Sequence, residues 1–102
     1  MSVTLDKVGE VTVIRIHEKF IDALNAPTLK TEIQSLFKPK MQVVLDLSNV
    51  EFLDSSGMGT ILASMRHLQG MEGKLKLAGV SKPVQTLFEL VRFNRILDIF
   101  PT

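Results

Sequence analysis

The chain has 102 residues, a formal net charge of +1 and no cysteine. This length predicts one domain over residues 1–102, and a composition of 45% hydrophobic and 23% charged residues excludes a disordered chain. The near-neutral charge argues against direct nucleic-acid binding, and the lack of cysteine excludes disulfides and thiolate metal sites. No stretch approaches the roughly 20 apolar residues of a membrane span, and the N-terminus has no signal-peptide pattern. We therefore expect a cytoplasmic protein with no membrane contact.

The chain begins with a predicted β-hairpin. Apolar and polar residues alternate before a turn that contains Gly9, and they alternate again over residues 11–16. A helix follows, for which Asn25 is the predicted N-cap and Pro27 lies in the first turn. Its apolar face is formed by Leu29, Ile33, Leu36 and Phe37. The Lys-Pro pair at 38–39 is expected to end this helix.

The middle of the chain reads as a buried strand followed by a second helix. Residues 43–47 form a short apolar run that is typical of a strand covered on both faces. The second helix has an apolar face formed by Met58, Ile61, Leu62, Met65 and Leu68, and Gly70 closes it. We interpret the methionines of this region as core packing.

The last third of the chain predicts a strand, a third helix and a final short strand. The strand contains residues 75–78, and Ser81 and Pro83 open the helix, whose inner face is formed by Val84, Leu87, Phe88 and Val91. Residues 96–100 form the final apolar stretch. Because strands and helices alternate, we predict an α/β fold in which helices pack on a small mixed β-sheet.

The most informative segment, residues 52–59, lies between the buried strand and the second helix. Asp54, Ser55 and Ser56 are all suitable N-cap residues, and each of the two glycines that follow costs a helix about 1 kcal/mol relative to alanine. The simplest interpretation is a helix cap with a tight turn. The alternative is a modification site, because a phosphate there would face free backbone N–H groups and the positive end of the helix dipole.

Three stretches of the chain resemble the STAS domain family, in particular the bacterial anti-sigma factor antagonists. They are residues 21–26, residues 43–50 and above all the Asp-Ser-Ser-Gly-Met-Gly motif at 54–59. The resemblance covers nearly the whole chain and implies a single STAS domain.

The resemblance implies a partner switch. In this family the unphosphorylated antagonist binds an anti-sigma factor that is also a serine kinase, and this binding releases the factor that the kinase held. The kinase then phosphorylates the first serine of the motif, here Ser55, with Ser56 as the second candidate. A metal-dependent serine phosphatase reverses the reaction. We expect a monomer or weak dimer that needs no cofactor or metal and is not itself an enzyme.

The resemblance also implies a partner-binding surface. Asp54 would position the loop, and Gly57, Met58 and Gly59 would line the docking surface together with Ser56. Asp22 is expected to contact a basic residue of the kinase, with Ala23 and Asn25 beside it. The chain departs from the family just before Ile21 and Asp22: many relatives carry a glycine and an acidic residue there, where this chain has Lys19 and Phe20. The extra bulk of Phe20 leaves the identity of the partner open.

Other functions are weaker matches to the sequence. A serine hydrolase needs a base near its nucleophile, but His67 lies roughly 18 Å from Ser55 along a helix. Asp46 and Asp54 alone are a weak indication of a metal or phospho-aspartate site. The main alternative is a STAS domain that serves as a constitutive adaptor, for example in a lipid-transport complex, in which Ser55 would be structural.

Overall fold

The computed structural model describes residues 2–90 and the backbone of residues 99–100. The strands are β1 (Val3–Val8), β2 (Val11–Ile16), β3 (Phe20–Ile21), β4 (Gln42–Asp46), β5 (Phe52–Leu53), β6 (Lys74–Ala78) and β7 (Ile99–Phe100). The helices are α1 (Ala26–Ser35), α2 (Ser55–Gly70) and α3 (Lys82–Leu90). The predicted order of the main elements is confirmed. The rest of the final stretch, residues 96–98, and Val91 of the third helix lie outside the described residues.

Five of the strands form a mixed sheet in the order β1-β2-β4-β6-β7. The pair β1 and β2 is antiparallel, which confirms the predicted hairpin, and Gly9 adopts a φ of 64° in its turn. All other neighbours in this sheet are parallel. The carboxyl ends of β2, β4 and β6 therefore meet at one edge, the usual place for a functional site in such a sheet.

The core lies on one face of this sheet. Ile14, Leu45 and Leu77 are adjacent in the register of β2, β4 and β6, and none of them is exposed. On the other face the neighbouring row is only half-buried, including Val44 of β4. The prediction that this strand is covered on both faces is therefore wrong. Its apolar run reflects one core row and one row that is partly open to solvent.

The predicted end of α1 is also wrong. This helix ends at Ser35 rather than at residues 38–39, and Leu36 is its C-cap. Phe37 is still buried, but it lies beyond the helix, with its ring centroid 6.1 Å from that of His67. The apolar spacing therefore predicted a core residue correctly and assigned it to the wrong element. The second helix, in contrast, ends at Gly70 as predicted.

Candidate functional site: the aspartate loops before α1 and α2

A two-stranded parallel ladder, separate from the main sheet, positions the site. Strands β3 and β5 pair Phe20 with Phe52 and Ile21 with Leu53. Ile21 and Leu53 are fully buried. The backbone N–H of Asp54 donates to the carbonyl of Ile21 at 3.1 Å, which brings the chain before α1 next to the chain before α2. This ladder has no signal in the sequence, because strands of two residues show no periodicity.

The Asp54 side chain caps α2. Its Oδ1 atom accepts hydrogen bonds from the backbone N–H groups of Ser56, at 2.8 Å, and Gly57, at 3.1 Å. The expectation that a phosphate on this loop would face free helix amides is therefore wrong, because a carboxylate already binds two of them. A phosphate on Ser55 would instead lie beside a negative charge and face solvent or a partner.

Ser55 and Ser56 have different surroundings. Ser55, the first residue of α2, is exposed, whereas Ser56 is half-buried. Ser56 lines a groove of about 260 Å³ between the N-terminal ends of α1 and α2. The other residues of this groove are Ala23, Ala26, Pro27, Lys30, Gly59 and Thr60. The structure thus brings three of the predicted partner-binding residues together and leaves Ser55 as the more accessible hydroxyl.

The two glycines of the motif serve different purposes. A Cβ atom on Gly57 would lie 2.8 Å from the Cβ of Leu53 and 2.9 Å from the carbonyl oxygen of Ile21, so this position has no room for a side chain. Gly57 is buried, and its predicted place on the docking surface is wrong: it allows α2 to pack against the ladder. Gly59 is exposed, and a Cβ built there would meet no described atom within 4 Å other than those of its own stretch of helix. Met58 is half-buried against the core.

Asn25 is the N-cap residue of α1, as predicted, but its side chain makes no capping hydrogen bond. Its Oδ1 accepts from the backbone N–H of Asp22 at 2.9 Å, and its Nδ2 donates to the carbonyl of Phe20 at 2.7 Å. Asp22 is half-buried, and its Oδ1 accepts from the N–H of Leu24 at 2.9 Å. These bonds fold residues 22–25 into a compact loop whose apex, Leu24, is 92% exposed.

The hydrolase alternative finds no support in the described residues. The His67 ring contacts Phe37, beyond the C-terminal end of α1, and not Ser55. His17 Nε2 lies 2.8 Å from Thr4 Oγ1, and His17 Nδ1 lies 3.3 Å from Asn49 Nδ2. Both imidazoles therefore have contacts of their own away from the motif.

Asp46, the last residue of β4, binds Arg15 and the loop that follows the strand. Its carboxylate pairs with Arg15 at 2.8 Å and accepts from the N–H of Ser48 at 2.8 Å. Partial burial alone would raise the pKa of Asp46, but the bonds from Ser48 and Arg15 together lower it below the ordinary value. Over the described residues, no cluster of three or more His, Asp or Glu side chains is arranged to bind a metal ion. Within the same residues, no helix has the length and apolar character needed to cross a bilayer.

Comparison with known proteins agrees with this geometry. A family model for the STAS domain matches residues 2–102. The chain belongs to the STAS domain family. It is 32% identical over 81 residues to the anti-sigma-B factor antagonist of Listeria monocytogenes, an alignment that covers 78% of this chain and 70% of that protein. The resemblance that the motif indicated is confirmed.

Solved structures show the same fold. An anti-sigma factor antagonist from Mycobacterium paratuberculosis has a TM-score of 0.84 at 24% identity, over 98% of this STAS chain and 85% of the other. The Bacillus cell fate determinant SpoIIAA in its phosphorylated form has a TM-score of 0.65 at 22% identity, over 95% of this chain and 89% of that one. The predicted fold class, a small mixed sheet with helices packed on it, is therefore confirmed.

Proposed function

We propose that this STAS protein is an anti-sigma factor antagonist that works as a partner switch in the cytoplasm. Its unphosphorylated form binds an anti-sigma factor with serine kinase activity. This binding releases the protein that the anti-sigma factor had held. Phosphorylation of Ser55 by that kinase blocks binding, and a metal-dependent serine phosphatase restores it. The chain itself is a substrate and a ligand, not an enzyme, and needs no cofactor.

The observation that carries this proposal is the exposed Ser55 hydroxyl beside an N-cap that is already filled. The Asp54 carboxylate binds the amides of Ser56 and Gly57, so these two amides are not available to a phosphate on Ser55. The phosphate adds about −1.5 to −2 charges next to a carboxylate. This charge faces away from the helix, where it disfavours the binding of a partner.

The size of this effect is sufficient for a switch. Introducing a charge into a desolvated contact costs several kcal/mol, and a loss of about 4 kcal/mol weakens binding roughly a thousandfold. No rearrangement of the sheet or of α2 is required, since the Asp54 cap remains in place. Two relatives support the proposal: the Listeria protein is named for antagonism of an anti-sigma factor, and SpoIIAA has been solved in a phosphorylated form.

Mass spectrometry of the protein purified from its own cells tests the proposal. Intact masses and peptide masses before and after phosphatase treatment should show a phosphate on Ser55. The Ser55→Ala variant should lose it, and the Ser56→Ala variant, which changes the neighbouring hydroxyl, should keep it. A phosphate on Ser56 alone would move the modification site to the groove.

The same experiment decides between the switch and a constitutive adaptor. If no phosphate is found under any growth or stress condition, the switch is excluded. The Asp-Ser-Ser-Gly sequence at 54–57 is then a helix cap and no more.

A further inference from the structure

The outer face of the β3–β5 ladder carries two exposed aromatic side chains. Phe20 and Phe52 are paired in register, and they are 54% and 50% exposed. Their neighbours Ile21 and Leu53 point into the core, as the alternation of a strand requires. Because the two positions are paired and both side chains are exposed, Phe20 and Phe52 together present apolar surface on this face of the ladder. Leu24, at the apex of the adjoining loop, is exposed as well.

Two carboxylates border this aromatic pair. Asp22 and Asp54 directly follow the two strands of the ladder, so both carboxylates belong to loops that begin at its carboxyl end. Each aspartate uses Oδ1 for backbone amides of its own loop. Within residues 2–90, the Oδ2 atoms of Asp22 and Asp54 accept no hydrogen bond. The aromatic pair therefore has a negative edge with acceptor capacity left over.

The opposite end of the ladder is mixed but also acidic. Glu51 donates its backbone N–H to the carbonyl of Lys19 at 2.8 Å, and Glu18 precedes that lysine. Counting these residues with Asp22 and Asp54, four carboxylates and one ammonium group flank the two strands of the ladder along the chain. A surface of this composition complements an apolar cavity that is bordered by arginine or lysine.

We propose that Phe20 and Phe52 form an aromatic anchor that binds an apolar cavity on the anti-sigma kinase, and that Phe20 selects this kinase. A cationic side chain of the kinase would pair with the Asp22 carboxylate, which belongs to the other loop and is not the one beside Ser55. This inference rests on the proposed function. The inference goes beyond that function because it assigns the binding free energy to Phe20 and Phe52, while Ser55 supplies the switch.

A second copy of the chain is the less suitable occupant. A two-fold contact through this patch would bring the carboxylates of Asp22 and Asp54 in one copy against the opposite end of the ladder in the other copy, which is also acidic. Like charges brought together at an interface are unfavourable. The charge pattern around the rings therefore favours a basic partner.

The test is binding and phosphorylation with the purified serine-kinase anti-sigma factors encoded in the source genome, in the presence of ATP. Phe20→Ala and Phe52→Ala should each raise Kd at least about 30-fold, because buried aromatic anchors dominate interfaces. The control is Val8→Ala, an exposed apolar residue at the far end of the main sheet. Its Kd should stay within about twofold of the wild type.

Steady-state kinetics separate anchoring from chemistry. Phe20→Ala should raise the KM for this protein as a kinase substrate and leave kcat unchanged, since the rings do not touch the reacting hydroxyl. Urea unfolding checks that both variants fold, which is expected for side chains that are half exposed.

Each outcome has a distinct meaning. If a kinase binds and phosphorylates the wild type, but the Phe20 and Phe52 variants bind equally well, the anchor is wrong and the proposed function stands. If none of the kinases binds the wild type, the proposed function fails and the anchor fails with it. If sedimentation shows a dimer that Phe20→Ala abolishes, the patch is a self-interface and the kinase anchor is overturned.

Discussion

Two loops of this molecule begin with nearly the same sequence and end differently. Phe-Ile-Asp at 20–22 precedes α1, and Phe-Leu-Asp at 52–54 precedes α2. The first two residues of each string pair with those of the other in the β3–β5 ladder. In both loops the aspartate Oδ1 accepts from the backbone N–H two residues later, Leu24 in one and Ser56 in the other. This is the usual bond of an Asx turn.

The loops diverge after the aspartate. In the second loop Oδ1 also binds the N–H of Gly57, so α2 starts at once. In the first loop Asn25 binds back to Asp22 and Phe20, and the helix starts only at residue 26. The comparison shows that an aspartate alone does not decide whether a turn continues as a helix. In the second loop the third residue after the aspartate is Gly57, which packs against the ladder where a Cβ has no room, whereas in the first loop it is Asn25.

The largest expected effect comes from filling the space at Gly57. Gly57→Ala should lower the free energy of unfolding by about 3 kcal/mol, the upper part of the range for overpacking, since the contacted atoms are a backbone oxygen and a Cβ that cannot swing away. Gly59→Ala is the matched control in the same helix and should raise stability by about 0.5–1 kcal/mol. Urea unfolding measures both. Equal effects at the two glycines would contradict the packing role of Gly57.

The next effect separates the two aspartates. Asp54→Ala should cost about 1–2 kcal/mol because α2 loses its cap, and Asp54→Asn should retain most of the stability because its amide oxygen still accepts. Asp22→Ala should cost about 1 kcal/mol, the value of one hydrogen bond to a backbone amide. The measurement is again the free energy of unfolding in urea. A larger loss at Asp22 than at Asp54 would mean that the first loop, not the cap, organises the site.

The smallest effect concerns a third aspartate of this kind, Asp46, which binds the Ser48 amide and also pairs with Arg15. Its pKa is lowered in the folded state, so the stability that its charge contributes is present above about pH 4 and is lost as the pH falls through the lowered pKa. Between about pH 6 and pH 3 the wild type should lose more stability than Asp46→Asn, by less than about 1 kcal/mol because solvent screens the pair. Thermal unfolding across this range measures the difference. If the stability of the wild type and of Asp46→Asn falls in parallel with pH, the Arg15 pair contributes no measurable stability.

Much of the fold could be predicted from the sequence because its signals are local. The alternation around Gly9 predicted the hairpin, and the spacing of Ile61, Met65 and Leu68 predicted the buried face of α2. The same spacing could not find the end of α1, because Phe37 is buried whether or not the helix continues to it. It also did not reveal that Ser64, a polar residue on α2, is fully buried.

By itself the sequence determined the order of the elements and the family, since periodicity, capping residues and the motif at 54–59 all lie within short stretches of chain. Only the tertiary structure decided which glycine is required for packing, which helix amides are filled and which apolar residues are exposed. The physical reason is distance along the chain. The space at Gly57 is closed by Ile21, and the exposed surface of Phe52 is completed by Phe20, so these properties exist only once the β3–β5 ladder has formed.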